Sequence, residues 1–218
     1  MAESNDTDKM QVGWPEYIGL GGLINHARME ADLKHLWEYS LPKVRASEEE
    51  VVQAEKQLGF RLPESYRTFL LAANGWPNFY HDVAIFSTRD LVGGPLYDSA
   101  RMPLDLPECV EAMASYGVIA EDQFIVAASE LDEDVFLMGK PGTTSEGEVA
   151  WYADGQVIDR YDDFHDFYMA MLEYNKRNVR KFREENGLPP RPLPGEKGYR
   201  PPRFDDDEPH ANAQAPEA

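Results

Sequence analysis

Apolar and polar positions follow helical spacing in the first third of the chain. They predict a first helix over Gly22–Tyr39 that ends near Pro42. A second helix is predicted to begin at Ser47. Ser47 and Glu50 have the spacing of a capping box, in which each side chain accepts a hydrogen bond from the backbone N–H of the other residue. Gly59 is placed to end this helix in the left-handed conformation.

Two further helices are predicted, each with one apolar face. The first runs from Leu62 to Gly75, because proline is tolerated in a first turn and Asn-Gly ends helices. Its apolar face contains Tyr66, Phe69, Leu70 and Ala73. The other begins near Asp162 or Asp163 and ends at Gly187, and its apolar face contains Phe164, Phe167, Tyr168, Met171 and Leu172.

The second half of the chain has the pattern of a β-sheet. Short runs of β-branched and aromatic residues predict strands at Phe124–Ala128, Val135–Met138, Glu148–Tyr152 and Val157–Arg160, with a further short strand at Val83–Phe86. Asp154 and Gly155 suit a type I′ hairpin turn because both tolerate positive φ. Thr88–Pro107 contains two glycines and three prolines, so a long irregular loop is predicted there, before a short helix over Glu108–Ser115.

This order of elements predicts an α+β fold. Strands joined by short turns pair antiparallel, so we expect a single domain with a mainly antiparallel sheet and with the helices packed on one face. The domain is predicted over residues 14–187. Residues 1–13 and the Pro-rich tail 188–218 lack a periodic apolar pattern, which predicts that both are disordered.

The net charge of −19 is unevenly distributed along the chain. The segment Arg101–Asp166 contains 16 acidic residues and three basic ones. Such a surface repels phosphate backbones and attracts basic proteins, which argues against direct binding of nucleic acid. The alternative explanation is a solvated acidic surface that keeps the protein in solution.

The composition also limits the compartment. A single cysteine, Cys109, excludes an intrachain disulfide and fits a reducing environment. The N-terminus lacks the apolar segment of a signal peptide, and no apolar run approaches the roughly 18 residues that a membrane helix needs. A cytoplasmic protein without a membrane span is therefore predicted.

Sequence motifs of catalysis and of cofactor binding are absent. The chain contains no HExxH, CxxC, GxGxxG, GxxxxGK[ST] or GxSxG pattern. His165 lies between Asp163 and Asp166, which is more simply a helix start than a metal site. Cys109 follows Glu108, whose charge opposes formation of a thiolate. We therefore predict no catalytic residue, no cofactor and no metal site, and a protein that is not an enzyme.

The segment Ser47–Gly75 combines an acidic helix start with the patterns E-x-x-L-G, L-P-x-x-Y-x-x-F-L and N-G. The positions are Glu55, Leu58, Gly59, Leu62, Pro63, Tyr66, Phe69, Leu70, Asn74 and Gly75. In these positions the chain resembles the SUKH superfamily, the Smi/Knr-like family, over a region from Leu33 to Tyr174. Because these residues are core and turn positions, the motif specifies a fold and not a chemistry.

The resemblance implies that the protein binds another protein. Many bacterial members resemble immunity proteins, which neutralise a cognate toxin by direct binding, and the toxin is often a nuclease. A basic partner such as a nuclease toxin would suit the acidic second half of the chain. The fungal members resemble regulatory scaffolds of cell-wall synthesis, so a scaffold without a toxin partner is the alternative.

The expected contact residues lie at turns and strand ends, where side chains reach a partner without disturbing the core. They are Glu130, Asp132, Glu133, Asp134 and Asp154. Trp76 and Tyr80, in a predicted loop over Asn74–Tyr80, are added because tryptophan and tyrosine are frequent hot spots of binding. The alternative for Trp76 is that it packs beneath the loop.

Overall fold

The computed structural model describes residues 13–201, and this part of the chain forms six helices and six strands. The helices are α1 (Trp14–Ala31), α2 (Glu48–Leu58), α3 (Glu64–Leu70), α4 (Pro95–Asp105), α5 (Pro107–Ser115) and α6 (Phe164–Glu185). The strands are β1 (Trp76–Tyr80), β2 (Val83–Ile85), β3 (Gln123–Ala128), β4 (Val135–Gly139), β5 (Val149–Ala153) and β6 (Gln156–Tyr161). No helix in the described range is long and apolar enough to cross a membrane.

The strands form one antiparallel sheet in the order β1-β2-β3-β4-β5-β6. Because neighbouring strands run in opposite directions, the turns β1–β2, β3–β4 and β5–β6 lie at the same end of the sheet. The last of these is the predicted hairpin turn, with φ of 49° at Asp154 and 74° at Gly155. The order therefore brings together three turns that are far apart in sequence.

Helices cover both faces of this sheet. Phe136 and Trp151 pair across β4 and β5 and face α6, where the ring centroids of Phe136 and Phe167 are 4.9 Å apart. Tyr152 follows Trp151 in β5 and so points to the opposite face. There it lies beside Cys109 of α5. The predicted α+β class and single antiparallel sheet are confirmed, and α5 covers a face on which no helix was expected.

The predicted ends of α2 are confirmed in detail. The Ser47 hydroxyl accepts a hydrogen bond from the Glu50 N–H at 3.2 Å, and the Glu50 carboxylate accepts one from the Ser47 N–H at 2.8 Å. Gly59 ends the helix with φ of 82°, in the left-handed region. These local signals need no tertiary contact, which is why the sequence predicts them well.

The core lies where α3 and α6 meet under α1. Phe69 is fully buried, and its ring centroid lies 5.0 Å from that of Phe164 and 5.2 Å from that of Trp14. Tyr66 is also fully buried and donates a hydrogen bond from its hydroxyl to the Phe86 carbonyl at 2.7 Å. The apolar face predicted from Tyr66 and Phe69 is therefore the centre of the fold.

The predicted first helix is displaced along the chain. Helix α1 begins at Trp14 and ends at Ala31, so it does not extend to Tyr39. The Asp32 carboxylate accepts hydrogen bonds from the Trp37 N–H at 3.1 Å and the Tyr39 hydroxyl at 3.0 Å, and the backbone turns there. The apolar residues that suggested a continuing helix, Leu33 and Leu36, are exposed.

Two predicted loops contain regular structure. Residues 76–80 form β1, although Pro77 argues against a strand; β1 is an edge strand of the sheet, where a missing N–H is tolerated. The predicted loop Thr88–Pro107 contains α4, whose Pro95 occupies the first turn and whose Pro103 lies near its end. The expected short helix at 108–115 is present as α5.

The part of the predicted tail that the structure describes, 188–201, packs along α1 and α6. Leu193 is buried in a small cluster with Ala27, Ala31, Val179 and Phe182. Ion pairs of Arg191 with Glu30 and of Arg180 with Glu196 hold this segment in place. For residues 188–201 this ordered contact replaces the expected disorder, and residues 1–12 and 202–218 lie outside the described part of the chain.

Candidate partner-binding surface

The three turns that meet at one end of the sheet carry six carboxylates. This surface, called the acidic end, consists of Asp82, Glu130, Asp132, Glu133, Asp134 and Asp154. It contains all five acidic contact residues expected from the sequence. The fold thus brings Asp154 of the β5–β6 turn to the acids of the β3–β4 turn, and adds Asp82 from the β1–β2 turn.

Asp82 builds the neighbouring β3–β4 turn. Its carboxylate accepts hydrogen bonds from the Ser129 hydroxyl and from the backbone N–H groups of Glu130 at 2.9 Å and Leu131 at 2.7 Å. The Ser129 hydroxyl accepts the Asp132 N–H at 2.7 Å. Partial burial opposes ionisation of Asp82, but these hydrogen bonds outweigh it and lower its pKa. The turn is therefore held in one shape, with Glu130, Asp132 and Glu133 exposed.

Asp134 differs from the other acids of the turn because it is half-buried. Its carboxylate accepts a hydrogen bond from the Trp151 indole N–H at 2.7 Å. Burial, followed by repulsion from Asp132, Asp82 and Asp154, raises its pKa, and the bond from Trp151 only partly offsets this. Burial is the largest cause of the raised pKa, and repulsion from the neighbouring carboxylates adds to it.

No basic group neutralises the acidic end within residues 13–201. None of its six carboxylates has a lysine, arginine or histidine nitrogen within 4.0 Å in this range. Leu131, at the tip of the same turn, is 78% exposed. The arrangement is a fixed, uncompensated negative surface with one apolar side chain at its centre, which is suited to contact with a basic molecule.

The two aromatic candidates have different positions. Trp76 is fully buried and donates its indole N–H to the Ser40 carbonyl at 2.9 Å, so it packs inside the fold and presents no surface to a partner. Tyr80 is half-buried at the end of β1, and its ring stacks on His81 with centroids 4.3 Å apart. Of the two, only Tyr80 reaches the surface beside the acidic end.

The sequence contains two candidate reactive sites, His165 with its neighbouring aspartates and Cys109. In the structure both lie at the starts of helices. Asp163 is the N-cap of α6, and its carboxylate accepts the Asp166 N–H at 2.9 Å. The His165 imidazole lies 3.5 Å from the Asp166 carboxylate and packs edge-on against Tyr17, with ring centroids 4.6 Å apart. The three side chains could approach one ion, but their contacts serve the start of the helix. Cys109 is half-buried in the first turn of α5.

A comparison with protein families identifies the fold that carries this surface. The model of the SMI1 / KNR4 family (SUKH-1) matches residues 45–170. The chain belongs to this family. No curated protein matches the sequence closely enough to add a named relative. The SUKH-1 match spans α2 to the first turns of α6, so it includes the predicted motif, the whole sheet and the acidic end.

Sequence reasoning missed two residues of the SUKH-1 surface. Asp82 was missed because it is a lone acid in a short turn, and only the strand order brings it to Ser129. Tyr174, which is half-buried, was missed because it lies outside the apolar face predicted for the last helix. Trp151 lies in a predicted strand and is buried, with 9% exposure, so it is not itself a surface residue.

Proposed function

We propose that this SUKH-1 protein is a protein-binding domain without catalytic activity. Its role is that of an immunity protein which neutralises a cognate bacterial toxin by direct binding. Family membership supports a role of this kind, and the observation that carries the proposal is the acidic end. Six carboxylates from three turns form one rigid surface without a neutralising base in the described range.

The charge of this surface defines the class of partner. A nuclease cleft is positively charged because its substrate is a polyanion, so a fixed acidic surface of another protein can occupy it. Attraction between the two surfaces accelerates association and depends on salt. The turn is already held in one shape by Asp82 and Ser129, so less conformational entropy is lost when a partner docks than with a mobile turn.

The test is binding of a basic toxin domain encoded beside this gene, measured by surface plasmon resonance across a salt series. The variant reverses Glu130, Asp132 and Glu133 to lysine, because these side chains are exposed and make no hydrogen bond that shapes the turn. Asp134 is left unchanged, since it holds the Trp151 indole. We expect the association rate of the wild-type protein to fall as salt rises, and the rate of the variant to be at least tenfold lower at low salt.

A matched control reverses three other exposed acids, Glu49, Glu148 and Glu184, which lie away from the acidic end and form no ion pair in the described structure. It changes the net charge equally. If both triple variants bind alike, only the total charge matters and the acidic end is not the contact surface. If no neighbouring toxin binds the wild-type protein, the immunity role is wrong, and a scaffold role remains as the alternative.

A further inference from the structure

Three aromatic side chains from different elements meet beside the acidic end. They are Tyr80 of β1, Trp151 of β5 and Tyr174 of α6, and are called the aromatic patch. The ring centroids are 6.3 Å apart for Tyr80 and Trp151, 6.0 Å for Tyr80 and Tyr174, and 5.7 Å for Trp151 and Tyr174. Tyr80 and Tyr174 are half-buried and reach solvent, whereas Trp151 is buried beneath them with 9% exposure.

Two carboxylates flank the patch. Asp134 accepts the Trp151 indole N–H at 2.7 Å, and Asp159 is the cross-strand partner of Trp151 on β6. Strand alternation puts Asp134, Trp151 and Asp159 on the same face of the sheet, which is the face that α6 covers. Neither carboxylate has a basic group within 4.0 Å in the described part of the chain.

A buried hydroxyl lies next to these groups. Tyr161 is only 7% exposed, and its hydroxyl is closed to solvent. It lies beside the Asp159 carboxylate and near the hydroxyls of Tyr80 and Tyr174. A buried hydroxyl is costly to leave unpaired, and Asp159 is the acceptor beside it, so the hydroxyl itself is not open to a partner.

The patch already holds one cation of the protein itself. The guanidinium of Arg177 lies over the Tyr174 ring at 4.9 Å from its centroid, and it has no carboxylate within 4.0 Å in residues 13–201. Stacking on the ring is therefore its principal interaction in that range. This contact shows that the Tyr174 ring accepts a guanidinium, and it covers one face of that ring.

We propose that the aromatic patch, with Asp134 and Asp159, is a binding site for an arginine side chain of the partner protein. This inference rests on the proposed function and specifies what anchors the partner. A guanidinium is planar, stacks on aromatic rings and has five N–H donors in a fixed arrangement. Two separated carboxylates offer acceptors around the rings for several of these donors, whereas a lysine ammonium is compact and stacks poorly.

The probes are capped tetra-arginine and tetra-lysine peptides, which have equal charge and need no knowledge of the natural partner. Binding to the full chain is followed by NMR through the four tryptophan indole N–H resonances, with that of Trp151 assigned by Trp151→Phe. We expect tetra-arginine to bind roughly fivefold more tightly than tetra-lysine and to shift the Trp151 resonance most. Equal affinities with an unmoved Trp151 resonance would overturn the inference.

Two variants locate the effect. Tyr174→Leu removes the ring, and Asp159→Asn removes one charge from an exposed position, so the second variant keeps the test decisive if the first is unstable. Each should abolish most of the preference for arginine, whereas Glu148→Gln at the opposite end of the sheet should preserve it. Preference that survives both variants would place the arginine elsewhere.

The outcomes separate this inference from the proposed function. If both peptides bind alike and the Glu130, Asp132 and Glu133 reversal weakens both, the acidic end binds cations without the aromatic patch, and only the inference fails. If the arginine preference is present but no neighbouring toxin binds the protein, the arginine site stands and the immunity role fails.

Discussion

Two regions of the molecule use their carboxylates differently. Between α2 and α3, the Arg67 guanidinium pairs with both Glu48 and Glu55, and the Glu55 carboxylate also accepts the Leu62 N–H at 3.0 Å. At the acidic end, Asp134 is surrounded by other carboxylates and has no basic neighbour within 4.0 Å in residues 13–201.

Under the proposed function, this difference separates charges that stabilise the fold from exposed charges that are available to a partner. An ion pair that is almost buried and fully hydrogen-bonded fixes the packing of two helices. A cluster of like charges lowers the stability of the folded chain, so its retention needs another benefit.

The largest expected effect lies in the core under the α2–α3 region, where the side chains serve the fold alone. Phe69→Ala should lower the free energy of unfolding by about 3–5 kcal/mol, because it removes a fully buried ring and leaves a cavity against Phe164 and Trp14. Urea unfolding followed by tryptophan fluorescence measures the change. Val52→Ala, at a position on α2 that is 49% exposed, is the control and should change stability by less than about 1 kcal/mol. A loss under about 1 kcal/mol for Phe69→Ala would contradict the assignment of this region to the core.

The sequence predicts the α2–α3 region well for a physical reason. The capping box of Ser47 and Glu50, the left-handed Gly59 and the apolar face of Tyr66 and Phe69 are signals between residues at most a few positions apart. The strands β3 to β6 are also predicted, because each is a short run of β-branched and aromatic residues bounded by turn residues next to it in sequence. Family membership follows from the same positions, since they are fixed by packing.

The remaining features depend on contacts between distant residues. Asp32 ends α1 by bonding to Tyr39, and the exposed Leu33 and Leu36 gave a false helical pattern. β1 was predicted as a loop, although Pro77 is tolerated there because β1 is an edge strand. Of the two positions considered for Trp76, exposure is wrong and packing inside the fold is confirmed. Five acids of the acidic end were predicted from their turns. Asp82 was not, because only the strand order places its turn beside theirs.

A second test compares ion pairs directly. Arg67→Ala should lower the free energy of unfolding by about 2 kcal/mol, because it leaves the nearly buried carboxylate of Glu55 without a cation. Arg61→Ala is the matched control: its pair with Glu64 is exposed on both sides, so a change below about 0.5 kcal/mol is expected in the same urea experiment. Similar losses for the two variants would show that the Arg67 pairs contribute no more to the free energy of unfolding than an exposed pair does.

The smallest expected effect has the opposite sign and lies at the acidic end. Burial and the neighbouring acids raise the pKa of Asp134, so its ionised form is less favourable in the folded chain than in the unfolded chain. That penalty is present at neutral pH and disappears as the pH falls through the raised folded pKa toward the unfolded value of about 4. Asp134→Asn removes the charge and keeps an oxygen that can accept the Trp151 N–H. We therefore expect this variant to be slightly more stable than the wild-type protein at pH 7 and equal to it near pH 3.

Asp132→Asn is the matched control for Asp134→Asn, because Asp132 is exposed and its side chain makes no hydrogen bond in the described structure. Its stability should stay within about 0.5 kcal/mol of the wild type at both pH values. Thermal unfolding at pH 7 and pH 3 measures both variants. A destabilised Asp134→Asn at pH 7 would mean that the charge of Asp134 supports the fold, as the charges of Glu48 and Glu55 do. The division between the two regions would then be wrong at the residue where the acids are most crowded.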